Sequence, residues 1–476
     1  MRHKGISGRL AMLSLSVVFV LWYRDTLAEM FGPAQSLFPA SDRGTHPQAT
    51  VTQPATPPQQ ASVHDTCGGG PGEDFGVAAP QTLENVDDFV RAIFDPADAT
   101  FERLACPVPP PSVLARYETL SSAANTRRNT ALKIFKYYFA LDVTQVVDLL
   151  PRLVGSVVEA IRFLGPQHCV LSIVGGNSDD GTTLVLDAIR PELDALGIGR
   201  YFFETSSVDP PDGPPDGHDQ RQPSSANMRN LVLKPMLDNR RLYSEDTTII
   251  FLNDVAICME DILELAYQRI HLGADMTCAM DWNSAGRDPI YYDVWGSRTL
   301  TGESFSRDPE GKGSWDEAWN LFWNDYETKS RYSTRLPFQV FSCWSGAVTL
   351  TADPILYGDL GFRNPDSEEC FHEGPALFCK DLWYKGWGKI SVVPSVSLEH
   401  STDQGRSLKA LKGYTSTWVG PEQDEKSKIR WQQLPPEQVK CMKDGGARLE
   451  ALEETGTGSS LWSRKAKRWN RKHQRR

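Results

Sequence analysis

Between residues 136 and 204 the chain alternates strand, helix, strand, helix, strand. KYYFALDV (136–143) is a β-rich apolar run, and Pro151 opens a helical pattern that continues through Leu164 and stops at Gly165-Pro166. HCVLSIV (168–174) reads as a second strand, Thr182 begins a helix that ends near Gly197, and RYFFE (200–204) reads as a third strand. Alternation this tight predicts parallel βαβ units with right-handed crossovers, and hence an α/β sheet.

The next strands end in carboxylates. TTIIFL (247–252) is apolar and β-branched and runs into Asn253-Asp254. EDILELAYQRIHL (260–272) is an amphipathic helix stopped by Gly273, and DMTCAM (275–280) ends in Asp281-Trp282. In open α/β sheets the C-terminal edge of the strands is where ligands bind. Asn253 and Asp254 supply hard oxygen ligands of the kind that Mn²⁺ or Mg²⁺ bridging a diphosphate requires. Strand-end acids also form turns and cap helices, so the pair alone leaves both readings open. The loop GGNSDDG (175–181) is either a turn whose Asp caps the following helix or a backbone-rich contact to a nucleotide. FQVFSCW (338–344) and KISVVPSVSL (389–398) read as later strands, with His400 just beyond the second. VDPPDGPPDGHDQRQPSS (208–225) reads as a surface loop with no regular element.

Net charge is −11, but the first nine residues carry +3 and the last thirteen +8, which leaves the body at −22. An acidic body argues against a nucleic-acid partner and suits one that holds divalent cations. P-loop and nucleophile-elbow motifs are absent. Paired carboxylates brought together only by folding are invisible here, so a glycosidase reading stays open. The nine cysteines form no zinc spacing. Cys169, Cys258, Cys278 and Cys343 lie in apolar runs and read as small buried side chains, whereas Cys370 and Cys379 flank a loop and read as disulfide candidates.

At the N-terminus, fourteen uncharged residues (LAMLSLSVVFVLWY) follow three basic side chains. The run suits a short type II signal anchor or the core of a cleaved secretory signal; either places the body in the secretory lumen. The expected layout is a cytosolic tail and anchor over 1–31, a Pro/Gly/Thr-rich stem over 32–83, a catalytic domain over 84–445 and a basic disordered tail over 446–476.

FLNDVAICMEDILEL, GADMTCAMDW, YYDVW, PFQVFSCWSG and CKDLWYKGWGKISVVPSV, with SIVGGNSDDGT and MRNLVLKPM before them and IRWQQLPPEQVKC after, together resemble the fungal cryptococcal alpha-1,3-mannosyltransferase family, which includes capsule-associated proteins. The resemblance runs from about residue 134 to about 441. It implies an α/β GT-A-type nucleotide-diphospho-sugar transferase domain with a mostly parallel central sheet, behind an anchor and stem in the Golgi membrane. It further implies mannose transfer from GDP-mannose to a mannose-containing glycan acceptor, with Mn²⁺ or Mg²⁺. Asn253-Asp254-Val255 occupies the place of the family's carboxylate motif, which makes Asp254 the leading metal ligand with His400 as a second. Arg229 and Asn230, with Asn253 and Asp254, would contact the donor. Trp282, Tyr292, Asp293, Trp295 and Trp344 would line the acceptor side, and Asp281, Glu373 and Asp381 would be the catalytic carboxylates. The chain departs from the family pattern at Gly175, at Ser345, where Asn is usual, and around Glu373. A non-catalytic assembly factor of the same fold, or a transferase for another nucleotide sugar, stays open.

Overall fold

The computed structural model describes residues 83–121, 134–205, 218–285, 288–307, 318–365, 369 and 374–440. The expected anchor, the basic tail, all of the stem but residue 83, and Glu373 lie outside the described residues. No helix among those described is long and apolar enough to cross a membrane.

Among the described residues nine strands form the sheet: β1 (Phe135–Val143), β2 (Cys169–Gly175), β3 (Arg200–Thr205), β4 (Tyr243–Leu252), β5 (Met276–Ala285), β6 (Asp288–Tyr291), β7 (Phe338–Gln339), β8 (Ala347–Thr351) and β9 (Ile390–Leu398). The order is β3-β2-β1-β4-β8-β5-β9-β7, with β6 paired to β5. β3, β2, β1 and β4 run parallel, as do β5 and β9, while β8 lies antiparallel between β4 and β5. This is the mostly parallel α/β sheet expected from the sequence.

The central strands are covered on both faces, which is why they read as unbroken apolar runs. β1 sends Tyr137, Phe139 and Leu141 into one layer and Tyr138 and Ala140 into the other. The first layer is closed by α1 (Leu150–Leu164), with Leu153 and Val157, and the second by Val232, Leu233 and Met236 of α2 (His218–Asp238). On the first face also lies α3 (Met259–Leu272), which ends at Gly273 in a left-handed conformation (φ 62°) that costs glycine nothing. α4 (Gly374–Lys385) and α5 (Thr402–Lys412) follow on either side of β9.

Three expectations need correction. The run 338–344 pairs in the sheet only at Phe338–Gln339. Its extension is broken by a turn in which Ser345 (φ 55°) and Gly346 (φ 74°) are both left-handed, and β8 begins immediately after. Within 208–225 the helix α2 begins at His218, because the clustered prolines end at Pro215 and the apolar residues further along the helix can reach the sheet. Among the described residues the disulfides are Cys106–Cys258 and Cys278–Cys343, and Cys379 is a buried free thiol, while Cys370 lies outside the described residues. Apolar surroundings did not distinguish a buried thiol from a buried half-cystine, since both bury a small apolar sulfur.

Candidate active site

The switch point of the sheet lies between β1 and β4. Their register pairs Leu141 with Leu252, so Asp142 and Asn253 emerge side by side. Asn253 Nδ2 donates to Asp142 Oδ1 (2.9 Å), and its Oδ1 accepts from Trp344 Nε1 (2.7 Å). Both ends of the amide are occupied, which fixes its orientation. Asparagine suits the position chemically, because one neighbour needs a donor and the other an acceptor. Burial pushes the Asp142 carboxyl up to about 6, against the pull of Arg229, whose Nε lies 3.6 Å from Asp142 Oδ2. The Arg229 guanidinium also lies 5.4 Å from the Trp344 ring centroid and 5.6 Å from that of Phe362.

Asp254, at the end of β4, is half exposed at the mouth of this edge. Asp281 is buried on β5, and His400 stands just past β9 between the two. His400 Nδ1 donates to the Asp254 carbonyl oxygen at 3.2 Å and lies 3.8 Å from Asp254 Oδ1. Its Nε2 is 3.7 Å from Asp281 Oδ2, beyond hydrogen-bond length. Both Nε2 and Asp281 Oδ1 are buried without a hydrogen-bond partner among the described residues. Burial works against charge on the imidazole, but Asp254 and Asp281 hold its pKa up to about 10. Burial raises the Asp281 carboxyl, opposed by His400.

These orphaned atoms bear on the expected metal. Among the described residues no group of three His, Cys, Asp or Glu side chains forms a ready-made cage. The donor set of one imidazole nitrogen and carboxylate oxygens nevertheless suits Mn²⁺, and Mg²⁺-type sites commonly combine one or two carboxylates with substrate phosphates and water. Held by its Nδ1–H, His400 would present Nε2 toward such an ion. The residues present therefore fit a divalent cation whose shell the donor completes.

The other anticipated residues separate by role. Tyr292 is about half exposed and packs edge-on against His400, with ring centroids 4.9 Å apart. Trp295 is also exposed. Asp293 accepts from Gly296 N, Ser297 Oγ, Trp344 N and Ser345 N, so it ties the turn at 344–346 in place. Trp344 is buried against Phe251 and Phe362. Asn230 clasps Phe362 through both its N–H and its C=O. Trp282 is buried with Lys412 over its ring, and Asp381 is held bidentately by Arg363 beside Glu369 and Lys380. In the loop after β2, Asp180 accepts from Thr182 N and Val147 N. Asp142 was not among the sequence candidates, although it carries the same signal as Asp254, an acid at the end of an apolar strand.

A carboxylate-lined switch point on a mostly parallel sheet defines the ligand-binding edge of an open α/β fold. A family model described as Cryptococcal mannosyltransferase 1 matches residues 136–381. The chain is 31% identical over 387 residues to the alpha-1,3-mannosyltransferase CMT1 of Cryptococcus neoformans var. neoformans serotype D, covering 77% of this chain and 80% of that relative. The chain therefore belongs to the cryptococcal mannosyltransferase family and is an enzyme. Solved structures show a more distant likeness. The mannosyltransferase PcManGT from Pyrobaculum calidifontis, in complex with GDP-Man and Mn²⁺, shares 8% identity at a TM-score of 0.33 over 66% of this chain and 79% of its own. S. aureus TarS 1–349 shares 14% at a TM-score of 0.31, over 56% of this chain and 60% of its own, so less than two thirds of the TarS chain is spanned.

Proposed function

We propose that this enzyme transfers mannose from GDP-α-mannose to a mannose hydroxyl of a glycan, forming an α-1,3 linkage with retention of configuration, in capsule or cell-wall polysaccharide synthesis. The observation that carries the reading is the convergence of Asp254, Asp281 and His400 at the C-terminal edge of β4, β5 and β9. A bound divalent cation would supply charge neutralisation of the departing diphosphate. Asp254, half exposed, is placed to meet the donor. Asp281, buried and facing His400, is placed to orient the acceptor or to oppose positive charge developing on the sugar. Tyr292 and Trp295 offer exposed aromatic faces on which sugar rings can stack. In this reading the catalytic body is luminal in the Golgi, behind the type II anchor and stem. The two disulfides support an oxidising compartment.

The test follows GDP release from GDP-mannose by the full chain in detergent, with Mn²⁺ and α-mannobiose, beside Asp254→Ala. Metal-dependent turnover that falls by about 100-fold or more in the variant is expected. A folded sample that neither turns over nor binds GDP or GDP-mannose would sink the proposal and favour a non-catalytic assembly factor. Turnover with a different nucleotide sugar alone would replace mannose as the donor.

A further inference from the structure

Arg298, between β6 and β7, is fully buried, and its guanidinium joins two stretches of chain that lie far apart in sequence. Nη1 donates to the Val294 and Ser297 carbonyls (2.9 and 2.7 Å), and Nε donates to the carbonyl of Lys440 (2.9 Å). The main chain is pinned as well: the Arg298 amide donates to the Ser342 carbonyl (2.9 Å), and Ser342 Oγ donates to that of Gly296 (2.6 Å). Residues 292–297, held in this way, carry the exposed rings of Tyr292 and Trp295 on either side of Val294, with Tyr292 packed on His400. A buried guanidinium needs acceptors around its charge. Here carbonyl oxygens supply them, and the planar fork reaches both stretches at once, which the point charge of an ammonium does not.

Lys440 closes the segment IRWQQLPPEQVK (429–440), which contains no helix or strand. Its seat is nevertheless well defined. Gln432 exchanges two hydrogen bonds with Gln339 of β7, Val439 is buried in the layer that holds Phe305 and Trp344, and the Lys440 amide donates to the Gly302 carbonyl (2.8 Å). Gly302 is left-handed (φ 84°), and a Cβ there would collide with the Gln438 carbonyl oxygen, so the segment can approach only because that residue is glycine.

We propose that Arg298 is a positioning residue for acceptor binding: it fixes residues 292–297 so that Tyr292 and Trp295 present their rings to the glycan, and the 429–440 segment holds Arg298 in turn. This role rests on the reading that those two rings meet the acceptor sugar. A stretch remote in sequence from Asp254, Asp281 and His400 thereby serves the acceptor side and leaves the donor side untouched.

Initial rates of the full chain in detergent test this, with α-mannobiose and the donor varied in turn, using whichever nucleotide sugar the chain turns over, beside urea unfolding. Arg298→Lys keeps the charge and loses the fork. Gly302→Ala leaves Arg298 in place and displaces the segment that holds it. Each variant is expected to raise KM for α-mannobiose by about 10-fold or more while KM for the donor stays within about 2-fold. Gly302→Ala carries the test if Arg298→Lys fails to fold. Wild-type KM for α-mannobiose in the folded variants would overturn the proposal. Equal rises in both KM values, or a fall in kcat alone that follows the loss of stability, would also overturn it, since either marks a merely structural role. Trp295→Ala separates this role from the reading beneath it. A raised acceptor KM there with an unchanged one in Arg298→Lys overturns the role of Arg298 alone, whereas an unchanged acceptor KM in Trp295→Ala overturns the acceptor face and the role of Arg298 with it.

Discussion

Asn253 shows how a single amide organises the edge of the sheet. It donates to Asp142 and accepts from Trp344, and the residue after it is Asp254. Asn253→Asp would set a carboxylate 2.9 Å from that of Asp142, which burial already disfavours in its charged form. The variant is expected to lose about 1–3 kcal/mol of stability in urea unfolding, and its turnover should fall further than Asn253→Ala, which introduces no charge. Equal losses in the two variants would show that the charge is tolerated and that only the lost hydrogen bonds matter. A second small residue matters nearby: a Cβ on Gly346 would meet Val255 Cγ1 at 2.6 Å, so glycine is needed there both for its conformation and for its size. At this scale the sequence was partly legible. An acid that ends a buried strand stands out, so Asp254 and Asp281, which the fold brings to either side of His400, were singled out, and Asp142 could have been by the same rule. What side chains touch once folded was not legible. Nothing in the order of residues shows that Asp293 is consumed by four neighbouring donors, or that Asp381 ends on Arg363.

Among the elements, α3 and α5 are joined through a buried polar contact that no local pattern reveals. Asp261 accepts from Lys409 Nζ at 2.9 Å, from Thr415 Oγ1 and from the Cys258 amide. Lys409→Met would leave that carboxylate without its cation and is expected to cost about 3–5 kcal/mol. Its neighbour Glu260 behaves in the opposite sense. Burial, then Asp261, push the Glu260 carboxyl up to about 7, above the ordinary value of 4.5. A raised folded-state pKa favours the fold fully below 4.5, and that advantage is lost as pH rises through about 7. Glu260→Gln removes the dependence while keeping an acceptor for the Ser416 amide. The variant should match the wild type near pH 4 and exceed its stability by about 1–3 kcal/mol at pH 8, read from guanidinium midpoints. A variant less stable than the wild type at pH 8 would show that Glu260 is held charged. The strands of this sheet were legible because burial on both faces selects long β-branched runs, whereas β8, five residues behind a left-handed turn, gave no such run. The start of α2 was hidden because its first residues, HDQRQPSS, are polar like those of a loop.

Across the whole molecule the two disulfides divide the work of holding the fold from that of holding the site. Cys106–Cys258 closes 152 residues and fastens the segment before β1 to the start of α3. Cys278–Cys343 closes 65 residues and fastens β5, three residues before Asp281, to the chain that carries Trp344. Constraint on the unfolded chain grows slowly with loop length, giving about 5 kcal/mol for the longer loop and about 4 kcal/mol for the shorter. On that ground alone the two bonds are nearly equal in stability, but their surroundings differ. Trp344 supplies the indole that fixes Asn253, the Ser345 amide donates to Asp293, and Gly346 packs beside Asp281 and Val255. Release of Cys343 would loosen all of these together. The pair Cys278→Ala and Cys343→Ala should therefore lose turnover by about 10-fold or more at a temperature where both double variants are still folded, while Cys106→Ala with Cys258→Ala should lose mainly stability. Urea unfolding and GDP release measured side by side decide it. If both pairs lose turnover only in proportion to stability, the second disulfide staples the fold rather than the site.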